Sequence, residues 1–379
     1  MKILFKKGAV AFLVLFLLAA CRTKEPAPVS QDFIMVYTAN ISGELEPCGC
    51  KARRLGGLAQ RAYHVRELEK KGMPVLQVDA GNIFFKYSYS FSTRKPREKQ
   101  IKRAEVIARG MARMGVSAIN IGYQDLAAGI SVLKDRLMKP EGEEPLPFIS
   151  ANLVDAKEKQ LIFPAYRVVE AGELRVGIFG VMDPRRGNDP QVDILDPEAA
   201  ALATVRELQD KVDFIIALGD LGFDEMAKLC REASRINVAV VSKGRMTVRE
   251  PGHVDESLIV NPGRGGKYLG QMKISYNSGA LFEDMLKRRA LLKQELDRLS
   301  LQLRTLQGTI QADPEFKARA GEFKQRKIEV EKESEGIPCG LDFENSLFPV
   351  DISLPMDPVI TDWVENLLGR APAGCLPSP

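Results

Sequence analysis

The chain reads Tyr37-Thr38-Ala39-Asn40-Ile41-Ser42-Gly43-Glu44-Leu45-Glu46-Pro47 directly after the start of an apolar run at Phe33. An apolar run that leads into glycine and short polar residues predicts a buried strand followed by a loop. Polar residues on a loop that a buried strand positions are candidates for function. This stretch therefore indicates both the first strand of the fold and the first place to look for a site.

Short apolar runs recur along the chain up to residue 277. They predict strands at Phe33–Thr38, Val75–Ala80, Ala118–Gly122, Phe148–Asn152, Leu174–Val181, Phe214–Leu218, Val238–Val241 and Leu258–Asn261. Amphipathic patterns between several of them predict helices at Gly57–Lys71, Arg97–Met114, Pro197–Lys211 and Phe223–Ala233. Strands that are apolar throughout and separated by helices indicate buried sheets with helices outside, which is an α/β fold.

The opening stretch resembles that of a calcineurin-like metallophosphoesterase of the bacterial 5′-nucleotidase branch, which reads Thr-Asn-Asp-x-His-Gly and then Leu-Glu-Pro. Other segments resemble the same family outside its metal ligands: Gly56–Ala62, Asp79–Gly81, Ile149–Asn152, Asn261–Gly263 and Lys267–Gly270. The resemblance covers most of Phe33–Tyr276. It implies a four-layer α-β-β-α metallophosphoesterase-like sandwich and, in active members, a two-metal site that hydrolyses phosphoric esters.

The residues depart from this family at the ligand positions. Amides and a hydroxyl replace Asp, His and the bridging Asp, Gly122-Tyr123-Gln124-Asp125 replaces Gly-Asn-His-Glu, and Ser242-Lys243-Gly244-Arg245 replaces Gly-His-x-His. An aspartate replaces the lone His that follows a strand. The degenerate metal-site positions are therefore Asn40, Ser42, Asn82, Tyr123, Gln124, Asp220, Lys243 and Arg245.

Charge and histidine content argue against a two-metal centre. Two divalent ions roughly 3.5 Å apart repel by about 19 kcal/mol at an effective dielectric constant of about 20, so the site needs carboxylates and imidazoles. The chain has two histidines. We expect a surface or cap role for His64, and His253 is either a displaced relic of Gly-His-x-His or an unrelated loop residue. We predict no catalytic residue, no bound metal and no cofactor.

Three alternatives for the site stay open. Asp79, Asn82, Asp125 and Asp220 could hold one hard divalent ion such as Mg²⁺, or Mn²⁺ or Zn²⁺, in a hydrolase with an altered site. Lys243 and Arg245, with Asn40, Asn82 and Gln124, could bind a phosphate-like anion without metal. In the third alternative the loops no longer converge. Gly263–Lys267 looks like a phosphate loop but leads into a strand, which predicts a turn.

The first 21 residues have the pattern of a targeting segment. Three lysines lie among the first seven residues, and Ala9–Leu18 is apolar but too short to span a bilayer as a mature helix. Leu18-Ala19-Ala20-Cys21 resembles a bacterial lipobox, which implies lipidation of Cys21; an ordinary cleaved signal peptide is the alternative. Arg22 replaces the Asp that favours inner-membrane retention, so we expect a periplasmic protein anchored to the outer membrane of a Gram-negative bacterium.

Cysteines other than Cys21 number five in the chain. An odd number in an oxidising compartment implies at least one free or intermolecular thiol. Cys48-Gly49-Cys50 could bind a soft metal, but two ligands do not complete a zinc site. The open alternatives are a disulfide from Cys48 or Cys50 to another cysteine such as Cys339, and a thiol-based role that replacing both would abolish.

Residues 281–333 carry a different pattern. Apolar residues recur there at intervals of four and three, which is a heptad seam: Leu292, Leu296, Leu299, Leu303, Leu306 and Ile310. Asp313-Pro314 interrupts the seam because Pro lacks a backbone donor, and a second charged helix follows. The pattern predicts an inserted antiparallel helical hairpin; an amphipathic pair lying flat on the sandwich is the alternative.

The predicted organisation has five parts. They are a signal peptide (1–20), a tether (21–32), a metallophosphoesterase-like domain (33–277), the hairpin (278–335), and a returning strand, Ser346–Leu354, with a short helix, Val359–Leu368, and a Pro-rich tail (336–379).

This organisation predicts a membrane-anchored periplasmic lipoprotein, catalytically inactive, that acts in binding or assembly and contacts a protein partner through residues 281–333. The alternative is a metal-dependent, nucleotidase-like phosphoester hydrolase. Without the three leader lysines, 51 basic residues face 50 acidic ones, so nothing indicates nucleic acid as a partner.

Overall fold

The structure is a computed structural model that describes residues 30–49, 53–90, 94–184, 189–244, 247–277, 282–307, 314–335 and 341–370. The predicted signal peptide, Cys21 and the Pro-rich tail lie outside these residues. Within the described ranges, no helix is both long enough and apolar enough to cross a lipid bilayer.

The elements of the described chain alternate between strands and helices. The strands are β1 (Ser30–Thr38), β2 (Val75–Asp79), β3 (Ala118–Asn120), β4 (Phe148–Ile149), β5 (Leu153–Asp155), β6 (Tyr166–Ala171), β7 (Leu174–Met182), β8 (Val192–Ile194), β9 (Phe214–Asp220), β10 (Val238–Val241), β11 (Gly252–Val254), β12 (Ser257–Val260), β13 (Tyr268–Asn277) and β14 (Leu341–Pro349). The longer helices are α1 (Leu58–Glu69), α2 (Glu98–Arg113), α3 (Pro197–Leu208), α4 (Phe223–Glu232), α5 (Phe282–Gln307), α6 (Pro314–Glu335) and α7 (Pro358–Leu368). Three short helical turns follow β3, at Tyr123–Ala128, Ile130–Val132 and Leu133–Leu137.

The strands form two six-stranded sheets and one two-stranded pair, β5 with β8. The first sheet has the order β14-β13-β1-β2-β3-β4, and the second has the order β11-β12-β10-β9-β7-β6. In the first sheet β1, β2, β3 and β4 are parallel, and β13 runs antiparallel to β1, from Ser30↔Asn277 to Tyr37↔Gly270. In the second sheet β7, β9, β10 and β12 are parallel.

Three apolar cores separate four layers. One core packs α1, α2 and α7 onto the first sheet. A second core lies between the sheets, where Phe33 meets Phe214 edge to face with ring centroids 5.5 Å apart. A third packs α3 and α4 onto the second sheet. Met35 belongs to the core between the sheets and Val36 to the core under the helices, so β1 is apolar on both faces. This is the predicted four-layer α-β-β-α sandwich.

The predicted strands and helices of the region 33–277 are all present, with ends that shift by up to three residues. The returning strand was predicted wrongly: it is Leu341–Pro349, not Ser346–Leu354. It lies at the edge of its sheet and alternates exposed residues such as Asp342 and Glu344 with half-buried ones, so it has no continuous apolar run to reveal it. The short helix α7 begins one residue before its predicted start.

Helices α5 and α6 make their main contacts in the described structure with each other. Because six residues separate two helices of 26 and 22 residues, the helices must run antiparallel to pack. A small apolar core joins them, and Arg326 Nε lies 3.0 Å from Glu295 Oε1. That core consists of Leu292, Leu299 and Val330, with Leu296 and Phe323 against it. Three of the predicted seam residues, Leu292, Leu296 and Leu299, therefore pack within the pair.

The buried carboxylate of Asp357 fixes α7 to the sandwich. Asp357 caps α7, accepting from the Ile360 backbone N–H at 3.0 Å, and its own N–H donates to the Ala59 carbonyl at 3.0 Å. Arg66 Nη2 on α1 lies 2.6 Å from Asp357 Oδ2, and Arg113 Nε on α2 lies 3.5 Å from Oδ1. One side chain thus satisfies a helix terminus and pairs with two arginines on two other helices.

We expect Asp357→Ala to lower the free energy of unfolding by about 2–4 kcal/mol, because it removes a helix cap and a buried charge-assisted contact together. Urea unfolding measures the change. Asp196→Ala is the matched control: Asp196 also precedes a Pro and caps α3, accepting from Ala199 N at 2.7 Å, but it is exposed. We expect about 1 kcal/mol there. Equal losses of stability in both variants would contradict the role of Asp357 in fixing α7 to the sandwich.

Candidate functional site

A cavity of about 540 Å³ opens where the carboxyl ends of the parallel strands of both sheets meet. Sequence reasoning predicted that these loops either converge or point into solvent, and in the structure they converge. The cavity is lined by Asn40, Ser42, Asn82, Tyr87, Gln124, Asp220, Ser242, Lys243, Gly244 and Arg264. Tyr123 reaches the same cluster through its backbone, and Arg245 lies outside the described residues.

The loops after β1 and β2 are joined by backbone hydrogen bonds. Asn40 N donates to Gly81 O at 2.9 Å, and Ser42 N donates to Asn82 O at 3.0 Å. Asn40, Ser42 and Asn82 all adopt left-handed backbone conformations, with φ of 52°, 56° and 61°. Asn tolerates this conformation better than most residues, whereas Ser42 is held there by its neighbours. The two loops therefore present their side chains as one rigid unit.

Asn82 is the centre of the site. Its Nδ2 donates to Asp220 Oδ1 at 2.9 Å, to Asn40 Oδ1 at 3.1 Å and to Ser242 Oγ at 3.1 Å. Two hydrogens serve three acceptors, so at least one bond is shared. Asn82 Oδ1 accepts from the Gln124 backbone N–H at 2.9 Å. One amide thus ties four loops together, including those at the ends of β9 and β10 in the second sheet.

Asp220 is fully buried and its oxygens are occupied. Oδ1 accepts from Asn82 and from the Ser242 hydroxyl at 2.6 Å, and Oδ2 accepts from the Tyr123 backbone N–H at 2.9 Å. Asn40 Nδ2 in turn donates to the carbonyl of Ser242. Each polar group at the centre therefore has its partner within the protein.

Asp125 organises the loop after β2 from below. Its carboxylate accepts backbone N–H groups from Asn82 (2.8 Å), Ile83 (2.8 Å), Phe84 (3.1 Å) and Gly122 (2.9 Å). Burial raises the pKa of Asp125 to about 6, against the lowering by these four donors. This arrangement requires Gly122, since a Cβ there would lie 2.4 Å from Asn82 Oδ1. Asp125 is committed to holding backbone.

Asp79 and Arg61 are two buried ionisable residues beneath the site, and the charge of each one affects the pKa of the other. Asp79 accepts from Thr38 Oγ1 at 2.5 Å and from the Gly81 N–H at 2.7 Å, and burial raises its pKa to about 7. Burial lowers the pKa of Arg61 to about 10, while the charge of Asp79 opposes this shift. Among the described residues, Arg61 Nε and Nη1 find no hydrogen-bond partner. When it is ionised, Asp79 supplies negative charge that partly offsets the cost of burying the Arg61 guanidinium.

These residues do not fit a metal centre. No group of three or more His, Cys, Asp or Glu side chains in the described part of the chain could hold a metal ion. The single-ion set that the sequence left open is partly committed to the protein, because the oxygens of Asp79, Asp125 and Asp220 accept hydrogen bonds from protein donors. The Asn82 amide, moreover, presents N–H groups toward Asp220, and an N–H group repels a cation.

The predicted anion site is also changed by the structure. The Lys243 ammonium pairs with Asp183 and lies 3.6 Å from Glu225 Oε2, so its charge is neutralised. The side-chain amides of Asn40 and Asn82 hydrogen-bond to each other and to neighbouring residues. Arg264, which sequence reasoning assigned to a turn, is the exposed cation on the cavity lining. The described contacts of Lys243, Asn40, Asn82 and Gln124 therefore do not form an anion site, and Arg245, the fifth predicted residue, lies outside the described part of the chain.

Neither histidine lines the cavity. His64 was predicted at the surface or a cap, but it is half-buried on α1 and stacks on Phe348 with ring centroids 3.7 Å apart. His253 lies on β11, 5.8 Å from the ring of Phe343. The segment Gly263–Lys267 forms the predicted turn before β13, and Gly265 N donates to Asn40 O at 2.7 Å.

The cysteine predictions fall mostly outside the described residues, because Cys50 and Cys339 are not among them. The Cys48 loop packs beside Val350: Cys48 N donates to Leu55 O, and Gly56 N donates to Val350 O. The disulfide and thiol alternatives for Cys48 and Cys50 therefore stay predictions.

Ser242 and Tyr87 are site residues that sequence reasoning missed as functional positions. Ser242 directly follows the apolar strand β10, and this signal was available in the sequence. Tyr87 has no such signal, because it comes from the loop after β2 and reaches the rim of the cavity with 74% of its surface exposed. The side-chain amide of Gln124 fixes that loop, donating to Tyr89 O at 2.8 Å and Lys86 O at 3.2 Å.

We expect Asp79 to give the protein a distinct pH dependence. Because its pKa is raised in the folded state, the stability that it contributes is full below about pH 4 and is lost as the pH rises through about 7. As the pH rises between these values, the free energy of unfolding of the parent should therefore fall by on the order of 3 kcal/mol relative to that of Asp79→Asn. Urea titrations across pH measure this, with the exposed Asp342→Asn as control. A pH-independent difference would contradict the assignment.

Comparison with known proteins places this geometry among known folds. No family model matches the chain. The chain is 24% identical over 239 residues to a 5′-nucleotidase of Vibrio vulnificus, covering 59% of this chain and 41% of that protein. It is 24% identical over 309 residues to the 5′-nucleotidase of Bos taurus (71% and 51%), and 29% identical over 239 residues to a snake venom 5′-nucleotidase of Gloydius brevicauda (58% and 38%). The chain thus spans about half, or less, of the length of these relatives.

Solved structures share the fold. The 5′-nucleotidase precursor of Thermus thermophilus aligns with a TM-score of 0.59 at 20% identity, covering 89% of this chain and 58% of that chain. The sulfate thiohydrolase SoxB of Thermus thermophilus gives 0.62 at 14% identity (91% and 62%). The calcineurin-like phosphoesterase YfkN of Bacillus subtilis gives 0.51 at 17% identity (65% and 86%). Together, the sequence relatives and the shared layers show that this chain resembles the 5′-nucleotidases in sequence and has the fold of the calcineurin-like metallophosphoesterases.

Proposed function

We propose that this protein is a non-catalytic relative of the metallophosphoesterases that acts by binding. The observation that carries the proposal is the amide of Asn82, which donates to Asp220, Asn40 and Ser242 where the family places a bridging carboxylate. The N–H groups of this neutral amide place partial positive charge against the Asp220 carboxylate, whereas metal ions balance the carboxylates in an active member of the family. The site therefore holds its shape without a cation.

Electrostatics support the same proposal. Two divalent ions in contact need several carboxylates and imidazoles to offset a repulsion of about 19 kcal/mol. At the centre of this site Asp220 is the one carboxylate among the described residues that line the cavity. A neutral network of amides and hydroxyls around a single carboxylate is stable alone, whereas the same residues would leave two divalent ions largely uncompensated.

The proposed setting is the periplasmic face of an outer membrane. The lipobox-like stretch ending at Cys21 supports a lipid anchor, and several acyl chains would make the attachment stable. The paired helices α5 and α6 support a role in assembly with a protein partner. The seam residues Leu292, Leu296 and Leu299 pack within the pair, while Leu291 and Leu301 each keep 65% of their surface exposed. A partner would contact these outward residues, not the seam.

The competing function is phosphoester hydrolysis with an altered metal site, and the names of the sequence relatives favour it. It requires a cation to compete with the hydrogen bonds that Asp79, Asp125 and Asp220 now accept from the protein. The two functions differ in whether the protein binds metal in stoichiometric amount.

We expect the purified full-length protein to contain no stoichiometric Mn²⁺, Zn²⁺ or Mg²⁺ by elemental analysis. We also expect no turnover of a 5′-nucleotide or of bis-p-nitrophenyl phosphate above the rate with metal and buffer alone. Both assays are run with each metal added, because a weakly held ion is lost in purification. Stoichiometric metal together with metal-dependent release of product would establish the hydrolase and end the proposal.

A substitution tests the role of the central amide. Asn82→Asp keeps the size and tolerates the left-handed backbone, but it replaces donors with a carboxylate beside Asp220. We expect a loss of about 2–4 kcal/mol in the free energy of unfolding at neutral pH, relieved on acidification as one carboxylate of the new pair protonates. Mn²⁺ should raise the thermal midpoint of this variant and leave the parent unchanged.

The control for this test is Asn366→Asp, on the exposed side of α7, where we expect a change within about 0.5 kcal/mol. A parent protein that Mn²⁺ stabilises as much as it stabilises Asn82→Asp would show that the cation site is already present. An Asn82→Asp variant as stable as the parent at neutral pH would show that the amide donors are dispensable.

A further inference from the structure

The strongest local charge imbalance lies beside the site. Between Lys86 and Arg103 the sequence holds seven basic residues and one acidic residue, in a chain with 54 basic and 50 acidic residues overall. The single acid, Glu98, faces away from this run and pairs with Arg136, Oε1 to Nη2, at 2.6 Å. The positive charge of this segment is therefore not cancelled from within.

A second cavity, of about 380 Å³, is built from this segment and the end of the site loops. We call it the basic groove, and it is lined by Gly43, Phe84, Phe85, Lys86, Tyr89, Lys99, Gln100 and Arg103. It adjoins the site cavity, because Ser42 and Tyr87 line that cavity while their neighbours Gly43 and Lys86 line the groove. The groove thus continues the cavity outward along the start of α2.

The cations at the groove are available to a ligand. Within the described residues, no carboxylate lies at ion-pair distance from Lys99 or Arg103, and Arg103 Nη2 makes one long contact, 3.4 Å, to Gly43 O. Lys86 is the exception, with Nζ 3.0 Å from Glu44 Oε1. In the Lys243 pocket, by contrast, the ammonium is already paired with Asp183.

Aromatic rings complete the groove. The guanidinium of Arg94 lies 5.1 Å from the ring centroid of Tyr89, which holds this cation at the rim. Gln124 secures the backbone of Tyr89 and Lys86, so the rim is tied to the rigid centre of the site. The groove therefore has a fixed wall on the site side and mobile cationic side chains on the α2 side.

We propose that the basic groove binds an anion that carries two or more neighbouring phosphate groups. An exposed ion pair is worth only about 0.2–1 kcal/mol, so a single phosphate held by one or two lysines would bind too weakly to matter at physiological salt. A ligand with several charges engages Lys99 and Arg103 together, with Arg94 at the rim, and sums these contacts. Guanidinium groups add directed paired hydrogen bonds to phosphate oxygens.

The size of the groove favours a compact phosphate group over an extended acidic peptide. Its volume of about 380 Å³ lies at the low end of small-ligand sites, and its lining comes from two short loops and one helix start. The groups could come free in solution, as in tripolyphosphate, or on a lipid head group that bears two phosphates. The inference rests on the proposed binding role and names the class of ligand for it.

Calorimetric titration of the purified full-length protein with inorganic tripolyphosphate tests the proposal. We expect binding that weakens as salt is raised, and about tenfold weaker binding by Lys99→Gln/Arg103→Gln. The matched control is Arg206→Gln/Lys273→Gln, which removes the same charge from exposed sites away from the groove and should bind like the parent. Flotation with phosphatidylcholine vesicles, with and without cardiolipin, distinguishes the lipid source from the free one.

Each outcome decides the proposal. Equal weakening in the two double variants would show non-specific attraction and overturn it, as would a hexaglutamate peptide that binds more tightly than tripolyphosphate. No binding to either tripolyphosphate or cardiolipin vesicles would also overturn it, without touching the non-catalytic function. Release of inorganic phosphate from tripolyphosphate would instead defeat the non-catalytic function while leaving the groove as the binding site. Circular dichroism of the variants confirms that they fold.

Discussion

The hydrogen bonds from the Asn82 amide to Asp220, Asn40 and Ser242 join the two sheets at the edge where their strands end. They run between residues 42, 138 and 160 positions apart in the chain, so no local preference could form them. Each partner is buried and carries a polar group that would be costly to leave unpaired. The loops therefore keep one arrangement because their polar groups have no better one, and this arrangement shapes both cavities.

This network carries less negative charge than a two-metal site requires, because Asp220 is the one carboxylate among the described residues that line the cavity. A metal centre gathers negative groups and depends on cations to hold them together, so it is incomplete without them. Here Asp79 accepts hydrogen bonds from Thr38 and Gly81, Asp125 accepts from four backbone N–H groups, and Asp220 accepts from an amide and a hydroxyl. Each carboxylate is hydrogen-bonded by the protein itself, while burial still raises the pKa of Asp79 and Asp125. Basic residues without ion-pair partners among the described residues, such as Lys99 and Arg103, lie at the start of α2.

Much of the fold could be predicted because its strands are buried on both faces. Runs such as Phe33–Thr38 and Phe214–Leu218 are apolar throughout, and only central strands of covered sheets have this pattern. Edge strands are half-exposed and lack it, which is why β6 was missed and β14 was placed five residues too late. Asn40, Ser42, Asn82 and Asp220 could be located because loops that follow buried strands in parallel sheets meet at one edge. The hydrogen bonds between them could not be predicted, because these bonds depend on the directions of side chains on residues with a left-handed backbone conformation.

Composition showed that the chain has two histidines, and periodicity showed the buried strands, because both are local properties of the sequence. The resemblance to the metallophosphoesterases indicated that amides occupy ligand positions. The tertiary structure alone decided that Lys243 is neutralised by Asp183, that Asp125 is spent on backbone, and that Lys99 and Arg103 border a groove. The physical reason is that electrostatic free energy depends on distances between atoms far apart in the chain, and only folding sets those distances.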